Sequence, residues 1–421
     1  LCHPHSITDV YRDSDRDYAL VAQLAQKEIQ KYEGANASGE RYRVTNILGH
    51  SRREVVEFET GKPGIVTAPS CGVAVQEPVT EVEHPVSLTE ENGLFIIENE
   101  FIRAKIGRCG KVASLIHKAT SRDTIASSTA GQLALYEDKP LFWDAWDLDV
   151  FHLEKRSSLP VAALAKVMEQ NALRVTVRFE YSFSKSKWQQ DIRLDALSPY
   201  MEFINRVDWQ EKSKILKAEY DVNVRASEAT YEIQFGSVKR PTHYNTSWDI
   251  ARFEVCQHRW FDFSEYGFGG SMLNDCKYGA NVHGNRMALS LLRSSNDPDP
   301  VADRGEHEFR YALVQQMALD FNRPLKFEKT SGPAGAESYF GTNAAGMIID
   351  TVKKAEDNNA VIIRLFEAYG GTAEFVLTTT LPFKKATLVN LMEDEVSGLT
   401  LQDGQIALTA KPFQILTVKL E

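Results

Sequence analysis

Only one stretch of this chain, residues 6–33, carries a helical period, and nearly everything after it alternates in twos. In that stretch Ile7, Val10, Tyr11, Tyr18, Val21, Leu24, Ala25, Ile29 and Tyr32 fall mostly three and four apart, the spacing that lines one face of an α-helix. Ser6 followed by Asp9 resembles a capping box, Lys27 and Lys31 lie late, and Gly34 supplies a stop. A lone helix cannot hide such a stripe, and no second stretch of comparable strength follows. The helix is therefore expected to pack on partners, with chain upstream of Leu1 supplying them.

From 35 to about 92 the apolar positions shift to short alternations, 42–48 and 54–58, broken by Gly61-Lys-Pro-Gly64 and Ala68-Pro69. Segments 94–97 and 101–106 open a longer β-rich region. It continues past the turn at Cys109-Gly110 through 173–183, 188–194 and 201–209. Long alternating strands with few helical windows predict a large antiparallel sandwich. After Pro324 a new series, 347–352, 361–366, 374–377, 386–391 and 413–420, is separated by turn signals at the spacing of a β-sandwich. The expected organisation is a terminal helix over 1–35, a small β domain over 36–92, the large sandwich over 93–325 and a C-terminal sandwich over 326–421.

Composition narrows the partners. The chain has 421 residues, more than one hydrophobic core usually serves. Lysine and arginine number 48 against 58 acids, for a net charge of −10, and with no basic tract this argues against a nucleic-acid partner. The longest apolar stretches, such as 289–292 and 360–363, fall far short of the ~20 residues that span a bilayer, so no membrane partner is expected. No secretory signal opens the chain. It begins at Leu1 rather than Met, which points to a fragment or processed product and leaves cytoplasmic and vacuolar or lysosome-like locations open. The five cysteines, Cys2, Cys71, Cys109, Cys256 and Cys276, are odd in number and lack a Cys-x-x-Cys pair, which favours a reducing compartment.

Two segments are dense in rings and hydrogen-bonding groups: Glu137-Asp-Lys-Pro-Leu-Phe-Trp-Asp-Ala-Trp-Asp147 and Asp275-Cys-Lys-Tyr-Gly-Ala-Asn-Val-His-Gly-Asn285. A pyranose has an apolar face that packs on an indole and an equator of hydroxyls that wants carboxylates, Lys, His and amides. Trp143 and Trp146 supply faces; Asp138, Asp144 and Asp147 supply acceptors. Two of only six tryptophans stand here within four residues. A strand with both indoles in a core is the competing reading, but residues three apart face opposite sides of a regular strand, which favours a pocket loop.

Together with Asn245-Thr-Ser-Trp-Asp-Ile-Ala-Arg-Phe-Glu-Val255 and the run Leu273 to Asn285, the first segment resembles the C-terminal half of glycoside hydrolase family 38 α-mannosidases of the cytosolic and vacuolar type. The similarity continues through Leu291-Leu-Arg-Ser294, Asp303 and Ile349-Asp-Thr-Val-Lys-Lys-Ala355, and so covers almost the whole chain from Ser6 onward. The resemblance implies a mainly β fold. Its parts would be a large antiparallel supersandwich of galactose-mutarotase type, smaller β-sandwich domains and an N-terminal helix belonging to a helix bundle. It also implies an N-terminal barrel outside this sequence that carries a nucleophilic aspartate, a second carboxylic acid and a zinc ion held by His and Asp, for retaining hydrolysis of α-mannosides. No position here matches those motifs. Leu1-Cys-His-Pro-His5 stands where a metal-binding His-Asp motif is expected, and a solvated chain end is the preferred reading of His3 and His5.

What the resemblance leaves to this chain is the rim of a mannose site. Asp138, Trp143, Asp144, Trp146 and Asp147 are the first candidates; Lys277, Tyr278 and His283, on a Gly-punctuated loop, are next. A structural histidine in a hairpin competes for His283. Arg252 and Glu254 alternate with Phe253 on an expected strand, where a cross-strand salt bridge explains them almost as well as a site; His258, near Trp260, is equally divided. Carbohydrate is the expected partner, beside the barrel, with homo-oligomerisation open. The alternatives are a non-catalytic carbohydrate-binding module and a self-contained mutarotase-like sugar enzyme using His283 with Asp275 or Glu254 as acid and base.

Overall fold

The computed structural model describes residues 8–31, 39–126, 132–314 and 319–421. The readings placed on His3, His5, Ser6 and Gly34 lie outside them. One long helix, α1 (Thr8–Gln30), is followed by strands whose described pairings are all antiparallel. None of the residues in α1 is buried: Val10, Tyr11, Val21 and Leu24 stay exposed along its apolar stripe. Its first turn is tied down, because the Thr8 amide and hydroxyl both donate to the Asp299 carboxylate. Among the described residues no helix is long and apolar enough to cross a membrane.

The chain divides into two compact units. The first comprises residues 1–35, 81–231 and 239–321, the second 36–80, 232–238 and 322–421. The first unit contains the six-stranded sheet and most of the nine-stranded one. A nine-stranded sheet runs in the order Leu164–Gln170, Arg174–Phe183, Ser186–Asp195, Tyr200–Trp209, Gly305–Val314, Phe268–Asn274, Trp260–Glu265, Glu228–Ile233, Gly236–Pro241. A six-stranded sheet runs Arg156–Ser158, Leu133–Glu137, Lys214–Asp221, Arg286–Ser294, Gly279–His283, Val255–Cys256. They face each other across Tyr220 and Tyr311, whose hydroxyls are 3.2 Å apart, with Phe203 stacked on the Tyr311 ring.

Alternation accounts for the long strands. In Arg174–Phe183 the residues Val175, Val177, Phe179, Tyr181 and Phe183 are buried at every second position. On the other face Arg174 and Arg178 sit directly opposite Asp195 and Asp191 on the neighbouring strand and pair with them, each at 2.7 Å. Gly110 is fixed by a close approach as well as by backbone: its φ is +85°, and a Cβ there would lie 1.8 Å from the Tyr181 hydroxyl.

In the second unit a four-stranded sheet, Lys326–Thr330, Arg41–Asn46, Gly72–Gln76, Gly335–Ser338, joins chain from both ends of the sequence. A three-stranded and a five-stranded sheet share one core, with Phe375, Leu377 and Ile406 from the first and Ile363, Leu365 and Val418 from the second.

Candidate functional site

Three connections gather at one end of the large sandwich. Residues 275–278 carry the chain from the nine-stranded sheet (Phe268–Asn274) to the six-stranded one (Gly279–His283), and residues 295–304 carry it back, from Arg286–Ser294 to Gly305–Val314. Residues 138–149 leave the same end, because Glu137 lies opposite Lys214, which in turn lies opposite Ser294.

The 138–149 segment is a loop, as the spacing of its tryptophans predicts, and its shape is held mainly by one guanidinium. Arg293 is buried at the end of its strand and its Nε lies 2.7 Å from Asp138 Oδ2. Its other nitrogens donate to the carbonyls of Asp144 (2.7 Å), Ala145 (3.1 Å) and Asp147. Five donors in a rigid fork suit this task, since one side chain satisfies a carboxylate and three turn carbonyls at once. Burial pushes the Asp138 carboxyl above its ordinary pKa, opposed by the Arg293 charge. Asp144 acts across the loop: its Oδ2 accepts the amides of Asn296 (2.6 Å) and Asp297 (3.1 Å). Asp149 accepts the Leu141 amide at 2.8 Å.

This bracing presents aromatic rings outward. The Trp143 carbonyl accepts the amides of Trp146 and Asp147, both at 2.8 Å, closing a tight turn that places Trp143 at a φ of +55°. Trp143 is 70% exposed and Trp146 40%, with the rings edge to face at 6.3 Å. Leu141 and Phe142 are also exposed. Of the four aspartates in the loop, Asp147 alone is exposed.

Beside the loop, the two crossovers bound a cavity of about 270 Å³. Lys277, Asp303, His307 and Arg293 bring polar groups to it; Leu148, Ile215 and Leu292 bring apolar ones. The Lys277 stem is fixed by its ammonium lying 4.5 Å from the Phe309 ring centroid. His307 bonds through Nε2 to the Asp303 carbonyl at 2.8 Å. Burial raises the Asp303 carboxyl, opposed by His307, Lys277 and Arg293, and burial lowers the His307 ring. Tyr278 and His258 meet edge to face at 5.7 Å where the strand Gly279–His283 begins.

The structure does not bring the other candidates here. His283 ends the strand that Lys277 and Tyr278 precede, about 17 Å away at strand rise, and its ring stacks on Tyr244 at 3.9 Å. Arg252 is on no strand. It follows a one-turn helix, Ser247–Ile250, started by a capping box between Thr246 and Asp249. Glu254 is sealed inside: its carboxylate lies 2.5 Å from the Lys217 ammonium and 2.5 Å from the Ser290 hydroxyl. Asp275 accepts the backbone amide of Arg310 at 3.1 Å. Among the described residues neither Glu254 nor Asp275 therefore pairs with His283 as an acid and base.

Lys217 and Glu254 belong to a buried polar layer on the outer face of the six-stranded sheet. There Tyr136 donates to Glu219, and Arg156 reaches the same carboxylate at 2.9 Å. His152 covers Tyr136 edge to face, with Nδ1 2.7 Å from the Asp149 carbonyl; burial first, then the Lys217 charge, bring its pKa down to about 4. Sequence reasoning missed Arg293, His307 and Lys217 as organisers. Leu291-Leu-Arg-Ser294 carried an arginine in an apolar strand, and that was the available signal.

The zinc implied by the resemblance does not fit this chain's described residues, which contain no group of three or more His, Cys, Asp or Glu side chains placed to hold a metal.

Comparison with known proteins agrees with this architecture. Residues 97–301 match the model of the glycosyl hydrolases family 38 C-terminal domain, and residues 346–418 match that of the glycosyl hydrolases family 38 C-terminal beta sandwich domain. Alpha-mannosidase 2C1 of Homo sapiens is 41% identical over 410 residues, covering 90% of this chain and 39% of that protein. Alpha-mannosidase G of Dictyostelium discoideum is 36% identical over 365 residues, covering 80% of this chain and 34% of the relative. The chain thus spans well under half the length of these curated relatives. The crystal structure of an alpha-mannosidase from Enterococcus faecalis shares the fold, with a TM-score of 0.75 at 14% identity over 99% of this chain and 61% of that one. The chain therefore belongs to glycosyl hydrolase family 38, of which it carries the C-terminal domains.

Proposed function

We propose that this chain is the non-barrel portion of a retaining α-mannosidase that removes terminal α-linked mannose from oligosaccharides, and that the loop 138–149 completes the rim of the mannose site. One observation carries the reading: a loop braced by Arg293 and Asp144 holds Trp143 and Trp146 outward instead of packing them into a core. An exposed indole on a braced loop offers a preformed face for a sugar ring.

The nucleophile, the acid and the metal ligands belong in this reading to the barrel, and the isolated chain is catalytically silent. Support comes from the loop carboxylates, since Asp138 and Asp144 are engaged in holding the loop and Asp147 alone is exposed. The relatives' type favours cytoplasm or vacuole as the location. The test has two arms. The purified chain incubated with an aryl α-mannoside, with and without zinc, should show no turnover, and measurable turnover overturns its silence. In the α-mannosidase polypeptide bearing these domains, Trp143→Ala should lower kcat/KM about tenfold or more, equivalent to about 1.4 kcal/mol; an unchanged kcat/KM removes the loop from the site.

A further inference from the structure

The cavity between the two crossovers has the makings of a binding site beside the tryptophan loop, whose Leu148 forms part of its wall. Its polar groups converge without satisfying one another. Among the described residues the Asp303 carboxylate has no hydrogen bond or ion pair, and the Lys277 ammonium, which acts on it electrostatically, otherwise meets the Phe309 ring. His307 uses Nε2 on the Asp303 carbonyl, which leaves Nδ1 to face elsewhere. Asp303 is also held at a φ of +58°, in the left-handed region that a non-glycine residue occupies at a cost. Strands on both sides fix these positions: His307 and Phe309 share one face of Gly305–Val314, and Lys277 lies two residues before Gly279–His283.

The charges select the ligand. Lys277 and Arg293 at the wall disfavour a cation, and the Asp303 carboxylate disfavours an anion. A carboxylate beside an ammonium suits two neighbouring hydroxyls, one donating to the acid while the next accepts from the amine. Leu148, Ile215 and Leu292 supply an apolar wall for the carbon face of a ring. A cavity of about 270 Å³ has room for a single sugar ring.

We propose that this cavity binds a neutral polyhydroxylated ring through a pair of adjacent hydroxyls, with Asp303 accepting, Lys277 donating and His307 Nδ1 completing the contact. The choice of a mannoside as that ring rests on the function proposed above; the site itself does not. It assigns to Lys277, Asp303 and His307 a role distinct from that of the exposed indoles.

The test is titration of this full chain with methyl α-mannoside, followed by NMR or calorimetry, alongside glucoside, galactoside, sulfate and an alkylammonium ion. Saturable binding of the mannoside is expected, weakened at least tenfold by Asp303→Asn and by Lys277→Met. Asn tolerates the left-handed backbone, and Met keeps the stem over Phe309, so both variants should retain the parent's circular dichroism and melting temperature. Were one to misfold, His307→Gln gives the same readout. Binding of a glucoside or galactoside in preference supports the cavity and overturns the mannoside choice. Binding of sulfate or alkylammonium alone, sugar binding unaffected by the variants, or no saturable sugar binding overturns the site. None of these results bears on the Trp143 effect on kcat/KM, so failure here and failure of the α-mannosidase reading remain separable.

Discussion

Arg293 and Asp138 stand 155 residues apart in the chain and meet at 2.7 Å, with both side chains buried. The same guanidinium also satisfies three carbonyls of the tryptophan loop, so the loop's shape and the ion pair depend on one residue. Arg293→Met would leave a buried carboxylate unpaired and the carbonyls without donors. A loss of about 3–5 kcal/mol is expected by urea denaturation. Adding Asp138→Leu should recover only part of it, because the carbonyls stay unsatisfied. Full recovery in the double variant would show that the ion pair, and not the carbonyl clamp, is what Arg293 contributes.

The Lys217 and Glu254 pair should behave differently. Both side chains are almost fully enclosed, and their main partners are each other. Glu254→Ala strands a buried ammonium and should cost about 3–5 kcal/mol, whereas Lys217→Met with Glu254→Leu removes both charges and should come within about 1 kcal/mol of the parent. Calorimetric melting of the three proteins decides it. A double variant as damaged as the single one would mean that the surrounding layer of Tyr136, Ser290 and Glu219 requires the charges.

How much of this was readable beforehand varies with how local the cause is. The helix over 6–33 appears as Thr8–Gln30, and the alternating strands lie close to where their pattern puts them, because period alone dictates which face is buried. Phe268–Asn274 was not legible: all of its residues are buried, so no alternation exists to read. Thr246 with Asp249 did carry a capping signal, and reading it would have kept Arg252 off a strand. The tryptophan loop was legible from side-chain chemistry within a few residues. Its clamp was not, since nothing near position 293 says that the chain will bring Asp138 beside it. His283 shows the converse: it is close to Lys277 in sequence, but a five-residue strand carries it to the far end of the sheet.

His152 makes stability depend on pH. Its Nδ1 is engaged by the Asp149 carbonyl, and Nε2 is buried with no hydrogen-bond partner among the described residues, so a second proton would sit beside the Lys217 charge without an acceptor. With a folded pKa of about 4 against an ordinary 6.5, the unfolded chain takes up this proton first as pH falls. The contribution is therefore complete above pH 6.5 and is lost as pH drops through 4, amounting to about 3 kcal/mol at 1.36 kcal/mol per pH unit. Burial also lowers His117, His283 and His307, so the readout is a difference. His152→Asn should lose less stability than the parent between pH 7 and 4. Parallel curves for the two proteins would rule His152 out as the source.

Trp143 combines two features that a packing residue would not need. Its side chain is 70% exposed, and its backbone is held at a φ of +55°, where a side chain with a Cβ pays about 1–2 kcal/mol. If the ring is presented rather than packed, Trp143→Ala should change stability by no more than about 0.5 kcal/mol. Trp143→Gly relieves the backbone but adds freedom to the unfolded chain, worth about 0.4–1 kcal/mol in the opposite direction. The glycine variant should consequently match the alanine variant or exceed it by up to about 1.6 kcal/mol in urea denaturation. A loss of 2 kcal/mol or more in both would mean that the indole holds the loop together through Trp146, and its outward placement would then be a by-product of folding. A near-neutral pair of variants leaves ligand contact as the reason to keep a large ring on a strained turn.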